Sequence, residues 1–251
     1  MCELFCVSAK EYIAVNEYLN IFFRHSVEHP NGWGIAELSE HEARIEKEPC
    51  PAYKSSYLRS RLSVPLLFKN GFAHIRKATI GNIDYENCHP FTACDRFGRR
   101  LTLMHNGTIF DYPPIASYID KEQGDTDSER ILLYLIDRLN ERELTDRERF
   151  SLFDDIISDM AKGNKLNLIF YDGRFTYVHT NFADSLYMLK RKEGVIFATT
   201  KLSMEDWVKV PFMRLCVFED GVECYEGASH GNQYIASEED LKYIYQYYSN
   251  L

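Results

Sequence analysis

A layered α+β fold with antiparallel sheets is the architecture this sequence predicts. Three observations point to it. Helical spacing is concentrated near the start and in the middle of the chain, period-two stretches lie on both sides of that middle, and tight Asp-Gly or Glu-Gly turns join successive stretches where a parallel crossover would need a helix. The 251 residues permit one or two domains and a sizeable core. No long Pro, Gly or Ser tract and no repeat divides them, so a single domain over 1–251 is expected.

Residues 2–7 form a short apolar run suited to a buried strand. Ser8 with Glu11 reads as a capping box, opening a helix whose core stripe is Tyr12, Val15, Tyr18, Leu19, Phe22 and Phe23. Pro30, Asn31 and Gly32 punctuate a turn that feeds a strand over 33–38, and 71–76 reads as another. Residues 91–94 and 101–104 flank a hairpin with Gly98 at its tip, and His105-Asn106-Gly107 reads as a sharp stop after it. Two further capping boxes, Thr126 with Glu129 and Thr145 with Glu148, open the middle helices. Their stripes are Ile131, Leu132, Leu135, Ile136 and Leu139, then Phe150, Phe153, Ile156, Ile157 and Met160. Beyond Gly163 strands are expected at 166–171, 174–179, 186–190, 195–199, 213–218 and 222–225, with hairpin turns at Asp172-Gly173, Glu193-Gly194 and Asp220-Gly221. Ser237 caps a last helix over about 238–247.

Composition narrows the function. With 45% apolar and 27% charged residues the chain is an ordinary globular mix, which argues against disorder or a coiled coil. Its longest apolar runs, 131–136 and 64–68, fall far short of the ~20 residues that span a bilayer, so a soluble protein is expected. The 29 basic and 38 acidic residues leave a net charge of −9 with no basic stripe, which argues against nucleic acid. Seven cysteines without a secretory signal point to a reducing cytoplasm and free thiols. Cys88, His89 and Cys94 lack paired Cys-x-x-Cys spacing, so no metal is expected.

One thiol stands apart, because Cys2 directly follows the initiator methionine. An amino-terminal nucleophile needs a small second residue, a thiol or hydroxyl on it, and a free α-amine, whose pKa of ~7.7–8 lets it take the thiol proton. Attack on an amide also needs donors for the oxyanion, and Asn106-Gly107 at a strand end offers a side-chain amide and a backbone N–H. Taken alone, Cys2 reads as a small buried core residue and Asn106-Gly107 as a simple turn.

Together with Cys2, the segments Ala73-His-Ile-Arg-Lys-Ala-Thr-Ile-Gly81, Asn87-Cys-His-Pro-Phe91, Leu103-Met-His-Asn-Gly107 and Gly124-Asp-Thr-Asp-Ser-Glu129 occur in the order and rough separations of class II glutamine amidotransferases. The chain resembles these amino-terminal-nucleophile hydrolases over about its first 130 residues. His29-Pro-Asn-Gly-Trp-Gly-Ile-Ala36 is similar to the stand-alone branch that includes γ-glutamyl peptide hydrolases. The resemblance implies a four-layer αββα sandwich and no cofactor. It implies Cys2 as nucleophile with its amine as base, and Asn106 and Gly107 as the oxyanion hole. Arg76 would clamp the substrate α-carboxylate with its planar fork, and Asp127 would pair with the α-ammonium. Thr79 and Gly81 belong to a loop that folds over bound glutamine, which His89 helps to hold. The implied reaction passes through a γ-glutamyl thioester and releases glutamate and ammonia. A γ-glutamyl peptide would use the same clamp, and a catalytically silent binding module is the remaining alternative. At this length no second synthase domain is expected, so ammonia would pass to a partner protein. Plainer readings stand beside these: a carboxylate such as Asp127 is favoured in a first helical turn whatever its role, Arg76 suits an ion pair, and His74 and His105 suit the core. Lys77 and Ile80 depart from the Trp and His of multi-domain members.

Overall fold

Two antiparallel sheets face each other in the computed structural model, which describes residues 2–248. The chain opens with β1 (Glu3–Ala14), α1 (Asn16–Arg24), β2 (Trp33–Leu38), β3 (Ala43–Glu48), α2 (Ser56–Leu62) and β4 (Leu67–Ile75). It continues through β5 (Phe91–Cys94), β6 (Arg100–Thr108), α3 (Pro113–Ala116), α4 (Asp127–Leu139) and α5 (Asp146–Met160). The last part holds β7 (Lys165–Tyr171), β8 (Phe175–His179), β9 (Tyr187–Lys190), β10 (Gly194–Ala198), β11 (Val208–Lys209), β12 (Leu215–Glu219), β13 (Val222–Glu226) and α6 (Glu238–Tyr248). One sheet runs β11-β9-β10-β1-β4-β2-β3 and the other β13-β12-β8-β7-β6-β5. The expected removal of Met1 concerns a residue outside the described range.

Strand periodicity sorts the apolar residues into three cores. Leu4, Cys6, Phe72, Met104 and Ile169 meet between the sheets. Phe5, Val7, Ile35 and Ala73 point the other way, onto Leu19 and Phe22 of α1 and Leu58 of α2. Leu101, Leu103, Leu168 and Phe170 pack under Leu132 and Leu135 of α4 and Phe153 of α5. Three cores require four layers, αββα. This is the fold the sequence predicts.

Some local expectations are corrected. The proposed capping box at Ser8 and Glu11 does not form. β1 shifts register between Ser8 and Ile13 and continues to Ala14 against Leu67 of β4, so α1 starts at Asn16 and Tyr12 is exposed. The rest of the stripe, Val15, Tyr18, Leu19, Phe22 and Phe23, is buried as expected. His105-Asn106-Gly107 is not a stop, because β6 runs on to Thr108 alongside β7. At α4 the Thr126 hydroxyl accepts from the Glu129 N–H, but the Glu129 carboxylate turns to the amides of Gln123 and Gly124, leaving half a capping box. Thr145 and Glu148 make both bonds of theirs. β3 and α2 carried no expectation.

Candidate active site

The start of β1, the end of β4, the end of β6 and the start of β7 lie at one end of the sandwich. By strand parity Cys2 follows Leu4 and Cys6 into the space between the sheets, as do Arg76 after Phe72 and His74 and Asn106 after Met104. The half-buried Cys2 sits one residue before β1, whose first turn of ladder is fixed by Thr199: its hydroxyl accepts from the Leu4 N–H and its N–H donates to the Leu4 carbonyl. The Cys2 thiol points at the Lys77 carbonyl, 3.6 Å away. From that segment the Thr79 hydroxyl lies 3.4 Å from the Thr108 hydroxyl, which joins the loop after β4 to the end of β6.

Asn106 is buried, and among the described residues its Oδ1 has no hydrogen-bond partner. Amide oxygen and nitrogen are assigned from their partners, so a half turn about the last torsion aims Nδ2 into the same space as a donor. Gly107 lies beside it in the ladder opposite Leu166, where an added Cβ would overlap the Lys165 carbonyl and the His105 ring. Only glycine lets β6 and β7 approach this closely.

Arg76 is 2% exposed and its guanidinium holds the loop above it, donating to the carbonyls of Ile80 at 2.9 Å, Gly81 at 3.1 Å and Asn82 at 2.6 Å. Three of five donors are used, which leaves two for a ligand. Asp127 opens α4, and its Oδ2 accepts from the Ile109 N–H at 2.8 Å while Oδ1 accepts from the Ser128 hydroxyl at 3.3 Å. Its carboxylate therefore already ties α4 to the chain leaving β6. Each oxygen keeps a second lone pair.

His89 does not reach the loop through a hydrogen bond. It stacks on His74 with ring centroids 4.1 Å apart and meets Phe91 edge-on at 4.6 Å. Neither ring nitrogen of His74 or His89 has a partner among the described residues, and burial holds both imidazoles well below their ordinary pKa, hence neutral. His105 is bonded instead, to the Ser128 hydroxyl and the Lys165 carbonyl, and burial lowers it too. The loop over the site is held by residues outside the expected set. Asp125 accepts from the Asn82 N–H and side-chain amide and from Asn87 Nδ2, while Asn87 Oδ1 accepts from the Asp125 N–H. Asn31 Oδ1 accepts from the Ala78 N–H. Asn31, Asn87 and Asp125 sat inside the quoted motifs and Asn82 just beyond one, and only their spatial partners reveal the task.

Among the described residues no group of three or more His, Cys, Asp or Glu forms a metal site, and no helix is long and apolar enough to cross a membrane. A cavity of about 550 Å³ opens at the opposite end of the sandwich, lined by Glu37, Glu40, Glu42 and Glu219 among others. It has no part of the Cys2 constellation.

Known proteins resemble this chain in sequence and fold. Residues 1–222 match the family model of the class-II glutamine amidotransferases. An uncharacterized protein of Methanocaldococcus jannaschii is 30% identical over 90% of this chain and 71% of its own. The Escherichia coli protein named "Putative glutamine amidotransferase YafJ" is 31% identical over 175 residues, 68% of each chain. The glutamine phosphoribosylpyrophosphate amidotransferase of B. subtilis has the same fold, with a TM-score of 0.64 at 16% identity over 89% of this chain and 48% of that one. On the family match over residues 1–222 and the E. coli relative, the chain belongs to the class-II glutamine amidotransferases.

Proposed function

We propose that this protein cleaves the side-chain amide of glutamine, or a γ-glutamyl amide, through a thioester on Cys2. The observation that carries this reading is the gathering of Cys2, Arg76, Asn106, Gly107 and Asp127 at one end of the sheet gap, under a loop pinned by Arg76. Removal of Met1 frees the Cys2 amine. That amine takes the thiol proton, the sulfur bonds to the amide carbon, and the carbonyl electron pair moves onto oxygen. Asn106 Nδ2 and the Gly107 N–H receive the oxyanion, each donor worth roughly 3 kcal/mol in such sites. The intermediate collapses by breaking the C–N bond, and the ammonium of Cys2 returns its proton to the leaving amine. Water, activated by the same amine, then releases glutamate. Arg76 and Asp127 fix the two charges on the glutamyl α-carbon, so the reacting carbon is placed before chemistry begins. Ammonia released here would pass to an acceptor protein in the cytoplasm.

The test compares wild type with Cys2→Ala, measuring ammonia from glutamine and amine from a γ-glutamyl dipeptide, with intact mass reporting Met1. Turnover of at least one substrate by processed wild type, and none by Cys2→Ala, is expected. Activity in Cys2→Ala, or in protein that retains Met1, would overturn the assignment.

A further inference from the structure

Lys165 opens β7 and faces the same space as Cys2. On β7, Ile169 and Tyr171 lie in the inter-sheet core while Leu166, Leu168 and Phe170 lie on the helix side, so parity turns Lys165 and Asn167 into the gap. In the ladder Lys165 pairs with Thr108 and Asn167 with Asn106, which makes Lys165 the diagonal neighbour of Asn106 on that face. Diagonal neighbours are within reach of a long side chain. The residue is 3% exposed, and its ammonium lies 4.3 Å from the centre of the Phe182 ring, which covers it.

We propose that Lys165 supplies the fixed positive charge that stabilises negative charge as it moves from the Cys2 sulfur to the substrate oxygen, beside the donors of Asn106 and Gly107. The inference rests on the reading of Cys2 as nucleophile. Lys165 keeps its proton throughout the cycle, since the Cys2 amine carries the transferred one. Burial pushes the Lys165 ammonium down to about 8, opposed by the charge of Cys2. It is therefore charged at neutral pH and loses its charge as the pH rises past 8. Among the described residues, the other charged or titratable groups around this space are Cys2 before β1, His74 in β4 and Arg76 after it, His89 stacked on His74, and Asp127 from the start of α4. His105 faces the helix side, where it meets the Lys165 backbone carbonyl and also feels the Lys165 charge.

Two readouts test this, one of which needs no turnover. The first is the rate at which iodoacetamide alkylates Cys2 at pH 7 in processed protein, located by peptide mass. Lys165→Met should slow it about fivefold, and Lys165→Arg, which keeps the charge, should leave it within twofold. The second is the pH profile of kcat on glutamine. Wild type should decline above pH 8, Lys165→Arg should lose that decline because a guanidinium does not titrate there, and Lys165→Met should lose roughly 100-fold in kcat with KM little changed. If Lys165→Met fails to fold, the arginine profile decides alone. An unchanged alkylation rate in folded Lys165→Met, or the same decline in Lys165→Arg, overturns the proposal. Slower alkylation without any glutamine or γ-glutamyl turnover leaves the charge role standing and removes the substrate reading instead.

Discussion

Asn106 and Gly107 are adjacent in one strand, yet they answer to different constraints. The Asn106 side chain is buried with an oxygen that no described residue satisfies, so its truncation removes little that holds the fold. Asn106→Ala should cost roughly 100-fold or more in kcat while shifting the unfolding midpoint by only a degree or two, and Asn106→Asp, which cannot donate, should not restore activity. A stability loss as large as the activity loss would mean that Asn106 is structural. Gly107 behaves oppositely: an alanine there must push the Lys165 carbonyl away, so Gly107→Ala should cost about 2 kcal/mol, or a fall in Tm of about 6 °C, along with activity. Cys2, Arg76 and Asn106 were legible because each carries an unusual residue type into an ordered motif. Lys165 was not. A lysine at the edge of an apolar run reads as the solvated end of a strand, and only the register with β6 turns it inward.

Elements were legible where their own residues decide them and opaque where a partner does. α5 was predicted from Thr145, Glu148 and its stripe, because capping and amphipathicity are local. β1 was cut short because Ser8, Glu11 and Tyr12 mimic a helix start, whereas a register shift against β4 and a Gly221 N–H donated to the Ser8 hydroxyl keep the segment extended. β3 went unread since Ala-Arg-Ile-Glu-Lys-Glu has almost no apolar alternation; it is an edge strand, where charges discourage pairing with other chains. The loop over the site is the element with a functional consequence. Its closure depends on Arg76 from below and on the Asp125 carboxylate from the side, which binds Asn82 and Asn87. Charged hydrogen bonds of this kind are worth about 1.5–3 kcal/mol each, enough to shift a loop between closed and open. Asp125→Ala should raise KM for glutamine by about tenfold or more with kcat within threefold, and should speed proteolysis between residues 77 and 90. An unchanged KM would mean that Arg76, Asn31 and Thr108 hold the loop without Asp125.

At the scale of the whole molecule, four layers with three cores bury histidines that a smaller fold would leave wet. His74, His89, His105 and His179 are each at most 3% exposed, and burial lowers all four, His179 to about 3. The unfolded chain protonates them near pH 6.5, whereas the folded chain keeps them neutral to lower pH. Between those limits the unfolded state binds more protons, so stability is full above about 6.5 and falls as the pH drops, by up to about 1.4 kcal/mol per pH unit for each histidine. The carboxylate Glu148, held down to about 2 by the Thr145 N–H and hydroxyl and by Arg142, acts in a separate window below its ordinary 4.5. Between pH 6.5 and 5 the histidines set the fall, opposed by the carboxyls of Glu122 and Asp154, which burial raises. Urea unfolding at pH 7.5, 6.0 and 5.0 should show a flat stability giving way to a steep fall. His89→Phe keeps the ring that stacks on His74 and meets Phe91 and discards nitrogens that bond nothing among the described residues. In that variant the acid slope should flatten by about 1.4 kcal/mol per pH unit. If its slope matches wild type, His89 is already charged in the folded protein, and the neutral stack at the base of the site is wrong.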